Sequence, residues 1–139
     1  MNTQTNKTEY LLLFRGTDWY NGLSADELQQ TMSRFKAWFD GLSEQGVLKG
    51  AQPLAREARI VGKNGRVFFD GPFAESKEAI GGYFLLAVNS FDEAAAIAKG
   101  CPALDYGTEI EIRPIAEECP MAHRARELAP EQQLVTAVA

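Results

Sequence analysis

Three features of this sequence predict an α+β domain of the split βαβ type. Two runs, Tyr10-Leu11-Leu12-Leu13-Phe14 and Tyr83-Phe84-Leu85-Leu86-Ala87-Val88, are apolar at every position. Each is followed by a Ser-x-x-Glu pattern, a helical stretch and a glycine. Between the two units an Asn-Gly pair separates short strand-like runs, which reads as an inserted β-hairpin. Strands apolar on both faces belong to a sheet covered on both sides.

Taken in order, residues 1–7 are polar and read as a mobile N-terminus. Thr8 to Arg15 reads as the first strand, with Tyr10, Leu12 and Phe14 on one face and Leu11 and Leu13 on the other. Gly16 to Gly22 is a loop holding Asp18, Trp19 and Tyr20. Ser24 and Glu27 form a capping box, and Leu23 and Leu28 fit a hydrophobic staple. Leu28, Met32, Phe35, Phe39 and Leu42 then recur at spacings of four and three, which predicts one core-facing helix stripe, widened by Trp38. Gly46 ends this helix. Val47 to Leu54 reads as a second strand, interrupted at Gly50 and stopped near Pro53. Ala58 to Gly62 and Arg66 to Phe69 flank Lys63-Asn64-Gly65 as a hairpin.

Gly82 to Asn89 is the next strand, and Ser90 with Glu93 repeats the capping pattern. Ala94, Ala95, Ala96, Ile97 and Ala98 form a helix small enough to lie close to a sheet, and Gly100 closes it. Thr108 to Pro114 is the last strand, with Ile110 and Ile112 inward and Glu109, Glu111 and Arg113 outward. The order is β-α-β-(hairpin)-β-α-β, a ferredoxin-like split βαβ arrangement over residues 8–115. Residues 116–139 are a tail with room for a short helix from Met121 to Leu128. In this arrangement the helices cover one sheet face. An apolar face of several hundred Å² left bare is rare on a soluble monomer. A homodimer joined through the open sheet face is therefore expected.

Composition narrows the function classes. The chain has 139 residues, 45% hydrophobic, with a net charge of −5. Its Lys and Arg are scattered, which argues against a nucleic-acid surface. Cys101 and Cys119 lack ligand spacing, and no cluster of His, Cys and carboxylates suggests a metal. No apolar run approaches the ~20 residues of a membrane span, and Met1 to Glu9 does not read as a signal peptide. A cytoplasmic protein without a membrane partner is the expectation. There is no G-x-S-x-G, no Walker loop and no dinucleotide fingerprint, so no cofactor is expected.

The densest chemistry lies in Asp70-Gly71-Pro72-Phe73-Ala74-Glu75-Ser76-Lys77-Glu78, between apolar Val67-Phe68-Phe69 and Gly81-Gly82-Tyr83. Pro72 cannot continue a ladder, so the chain leaves the sheet here. Asp70 can cap backbone N–H groups in an Asx-turn, or stand as a carboxylate that binds a ligand or acts as a base. Gly81-Gly82 reads as a close approach of backbones. This motif and its Gly-Gly-Tyr sequel resemble the signature of the YCII-related family, often called DGPF-domain proteins, over Tyr10 to Pro114. The resemblance implies a ferredoxin-like fold that dimerises into an α/β barrel, and no particular reaction. In YCII-related proteins outside the DGPF group it would suggest a His–Asp pair in the pocket. The only histidine here is His123, in the tail, so that pair is not carried over.

Two functional readings follow. In the first, a small molecule is bound or acted on in a pocket near Asp70. Asp70 is the acceptor or base, Arg15 or Lys77 holds an anionic group, and Trp19, Tyr20 and Tyr83 form apolar walls. In the second, the chain is a non-catalytic dimeric module acting in regulation, as some proteins resembling the family suggest. There the Asp70 motif is structural, and the acidic surface or tail meets a basic partner.

Overall fold

Alternating burial along two strands sets the architecture. The computed structural model describes residues 8–69 and 79–129. In β1 (Thr8–Arg15), Tyr10 and Leu12 are buried while Leu11 and Leu13 are half-buried. In β5 (Ile80–Val88), Gly82, Phe84, Leu86 and Val88 are buried while Tyr83, Leu85 and Ala87 are half-buried. The two strands run antiparallel with Leu12 opposite Phe84 and Leu11 opposite Leu85, so each face keeps its own set.

β2 (Leu48–Pro53) pairs with the outer side of β5, and β6 (Glu109–Pro114) with the outer side of β1. The sheet order is β2-β5-β1-β6, all neighbours antiparallel. This is the ferredoxin-like order expected from the repeated pattern. β3 (Arg59–Val61) and β4 (Val67–Phe69) form a separate two-stranded sheet, the inserted hairpin. Its turn holds Asn64 at φ 64° and Gly65 at φ 75°, left-handed conformations that this residue pair tolerates best.

α1 (Ala25–Glu44) and α2 (Phe91–Ala98) cover one face. The core joins Tyr10, Leu12, Phe84, Leu86 and Val88 of the sheet to Leu42 of α1 and Ala94 and Ala98 of α2. Each large side chain buried there stabilises the fold by roughly 1.5–3 kcal/mol. On the other face the central residues remain half-buried, and β6 adds Glu109, Glu111 and Arg113 beside them. α3 (Pro120–Leu128) begins with Pro120 in its first turn and is exposed on most of its surface.

Both caps form as local chemistry requires. The Ser24 hydroxyl accepts from the Glu27 N–H at 3.1 Å, and the Glu27 carboxylate accepts from the Ser24 N–H at 2.9 Å. At α2 the Ser90 hydroxyl accepts from the Glu93 N–H, but the Glu93 carboxylate reaches one residue further, to the Asn89 N–H at 2.7 Å. The expected stripe on α1 is corrected. Met32 is 60% exposed and Phe39 38%, whereas Thr31 is 1% exposed. The inward line is Leu28, Thr31, Phe35, Trp38 and Leu42. Thr31 tolerates burial because its hydroxyl donates to the Glu27 carbonyl at 2.8 Å and lies 3.4 Å from the Tyr106 hydroxyl. The strand expected from Gly82 begins earlier, at Ile80, so both glycines lie inside β5.

Candidate functional site

The site grows out of where the sheet and α1 part company. Trp38 stacks on Phe84 with centroids 5.1 Å apart and donates its indole N–H to the Ile97 carbonyl at 3.2 Å. That pins the middle of α1 close to the sheet. Towards the Arg15 end of β1 the large rings of α1 and the sheet do not close the gap. A cavity of about 490 Å³ opens there. Its floor is Phe14, Ala51 and Phe84, and its helix wall is Phe35 and Phe39. Gly16, Thr17, Trp19 and Tyr20 of the β1–α1 loop form the lip.

The loop is held by its own rings. Trp19 stacks with Phe35 at 6.3 Å and with Tyr106 at 5.8 Å, and meets Tyr20 edge-on at 5.4 Å. Such pairs stabilise by about 0.5–1.5 kcal/mol beyond their buried area. Trp19 also borders a second apolar depression, lined with it by Tyr20, Leu28, Thr31, Met32 and Phe35.

Glycines set the opposite rim. A Cβ on Gly81 would stand 2.9 Å from the Gly16 carbonyl oxygen, and one on Gly82 would stand 2.9 Å from the Gln52 carbonyl oxygen. Both contacts are with backbone, so the close approach read from the sequence is the reason for the pair. The Gly16 N–H donates to the Ala79 carbonyl at 2.8 Å, and the Leu54 N–H to the Gly81 carbonyl at 3.0 Å. The chain leaving the Asp70 motif is thereby tied to the lip of the cavity at Ala79.

Polar groups are few. Thr17, Gln52, Arg56 and Thr108 line the cavity, and Arg56 is the one charged side chain among the described lining residues. Arg56, in the β2–β3 connection, makes no ion pair among the described residues. Thr108 is 5% exposed, and its hydroxyl has no hydrogen-bond partner among the described residues. An orphaned buried hydroxyl costs about 1–3 kcal/mol. Cys101 is buried beside the same end, and burial pushes its thiol up, against a smaller opposing effect of the Ala103 and Leu104 N–H groups. It is therefore a protonated thiol at neutral pH and a poor nucleophile.

Of the residues singled out in the sequence, Trp19, Tyr20 and Tyr83 come together along the cavity. Arg15 is not among its lining residues and pairs in register with Glu109. Asp70 and Lys77 lie outside the described residues. Sequence reasoning missed Thr108 and Arg56. Thr108 carried a signal, since it shares strand parity with the inward Ile110 and Ile112. Arg56 carried none.

The profile of the YCII-related domain matches residues 9–123, from β1 into α3. The chain belongs to the YCII-related family. No curated protein sequence matches it. The YCII-related region thus contains the sheet except for Thr8, both sheet-covering helices and every described cavity-lining residue. Among the described residues no group of His, Cys, Asp and Glu could hold a metal ion, and no helix is long and apolar enough to cross a membrane.

Proposed function

We propose that this YCII-related chain binds a small molecule in the cleft between α1 and the Arg15 end of the sheet, and that any chemistry on it is carried by the Asp70 motif. The observation that supports this most is the cavity itself. Its volume of about 490 Å³ falls in the range of small-molecule sites. Its walls are aromatic and its polar groups few, the usual make-up of such sites. Among the described lining residues there is neither carboxylate nor histidine. Asp70, which follows β4 in sequence, is on this proposal the acceptor or base, and the chain after its motif returns at the cavity lip at Ala79.

A thermal-shift and calorimetric screen of small organic compounds on the full chain tests the binding reading. Hits that lose affinity in Phe35→Ala and Trp19→Ala support it. Hits indifferent to both substitutions sink it. For a compound that is turned over, Asp70→Asn separates base from binder, since loss of a general base costs about 10²–10⁴-fold in rate.

A second reading has its own observation. Leu11, Leu13, Leu85 and Ala87 share the sheet face away from α1 and α2, and none is fully buried. A homodimer closed through that face would bury them as a two-sheet barrel, and on this reading the chain works as a dimeric interaction module. Light scattering on the intact chain and on Leu13→Glu decides it: a dimer that becomes a monomer supports the interface, and a monomeric parent refutes it.

A further inference from the structure

Two of the polar residues that line the proposed cleft, Arg56 and Thr108, lie towards its opposite sides, and their placement points to a class of ligand. Arg56 stands on the connection that leaves β2, while Thr108 stands at the entry to β6. In the order β2-β5-β1-β6 these are the two outer strands. At ~4.8 Å per strand, three strand spacings put the two outer strands ~14 Å apart across the sheet. Between them the cavity presents the rings of Phe14, Phe84, Phe35 and Trp19.

We infer that the cleft selects a planar aromatic carboxylate bearing a hydroxyl or carbonyl at its far end, with Arg56 on the carboxylate and Thr108 on the distal oxygen. This rests on the small-molecule reading of the cleft. A guanidinium matches a carboxylate with two parallel hydrogen bonds. Arg56 is the one cation among the described lining residues, and on a chain of net charge −5 a single guanidinium suits a monoanion. The Thr108 hydroxyl can donate and accept, and it is buried without a partner. On this proposal the Thr108 side chain turns its hydroxyl towards the ligand, whose oxygen would satisfy it. The ring-lined middle favours a flat, stacking body over a flexible chain.

Isothermal titration calorimetry on the full chain tests this with 6-hydroxy-2-naphthoate, 2-naphthoate, 6-hydroxy-2-naphthamide and 8-hydroxyoctanoate. The hydroxynaphthoate is expected to bind tightest. Arg56→Gln should weaken it by about tenfold, as loss of a charge-assisted bond does, while leaving the naphthamide unchanged. Arg56→Lys should restore part of the loss. Thr108→Val should weaken the hydroxynaphthoate by about fivefold, the loss of one hydrogen bond, and leave 2-naphthoate unchanged. Misfolding would lower all four compounds together, so this crossed pattern belongs to the proposal alone. If the amide binds as tightly as the acid, or the octanoate as tightly as the naphthoate, the ligand class is wrong while the cleft reading stands. If none of the four binds and the broader screen yields hits at Phe35 and Trp19, the class again fails by itself. If neither set binds, both readings fall.

Discussion

The two halves of the sheet are built on one plan and end differently. Both have an apolar strand, a serine-capped helix and a return strand. In the α2 half, Ala94 and Ala98 meet the sheet at 0% and 6% exposure, and the helix lies flush. In the α1 half, Trp38 pins the middle of the helix to Phe84, while Phe35 and Phe39 prop the stretch towards the Arg15 end, and the space left there is the cavity. Side-chain size alone decides which half is sealed. The sealed half stabilises the domain, and the propped half leaves room for a guest.

Several substitutions would break or sharpen that contrast. The largest effect is expected in the sealed layer. Leu86→Ala, at a residue with no exposure, should cost about 2–5 kcal/mol by chemical denaturation. Phe39→Ala, on the cavity wall, should cost far less, because its ring is already part-exposed. Ala94→Leu overfills the flush contact and should cost about 1–3 kcal/mol. Gly100→Ala tests the same closeness from another side. A Cβ there would stand 2.9 Å from the Trp38 indole nitrogen. Urea denaturation should show a loss, with a red-shifted Trp emission as Trp38 is pushed from Phe84.

At the cavity the sign reverses. Thr108→Val removes a buried hydroxyl without a partner, so the free protein should gain about 1 kcal/mol in the same assay. A site residue that lowers stability when empty is what a binding pocket holds in reserve. The smallest effect lies in α3. A hydrogen bond from Arg126 holds the Glu118 carboxyl below its ordinary value, helped by the nearby charges of Arg126 and His123. A depressed carboxylate stabilises above its unfolded pKa, and that support is lost as pH falls through the folded value. α3 should therefore loosen in acid, seen as rising amide exchange at residues 120–128, and Glu118→Gln should remove that pH dependence. Glu118 is exposed enough that the change will be small.

Much of this was legible in the sequence because it is local. The capping serines and the Asn64-Gly65 turn each rest on neighbours within a few residues, and the strand order followed from the repeated strand–helix–strand plan. Trp19 and Tyr20 stood out because paired aromatics between glycines are hard to explain otherwise. The helix stripe was misread at Thr31 and Met32 because burial there depends on Tyr106, which comes from the far end of the chain. Gly100 does close α2, just after its last residues, but its closeness to Trp38 was not legible. Arg56 was invisible for the same reason: only the folded sheet carries its loop to the cleft.

The strand order also decides how copies of this chain can meet. β2 and β6 are the outer strands, and each is unfit as a template. β2 is broken by a bulge between Leu48 and Gly50 and stops at Pro53. β6 carries Glu109, Glu111 and Arg113 and stops at Pro114. Prolines, charges and bulges on an outer strand block ladder growth from chain to chain. Association is thus steered away from open-ended fibres, and a crowded solution of this protein should stay clear where a bare-edged sheet of the same size would gel.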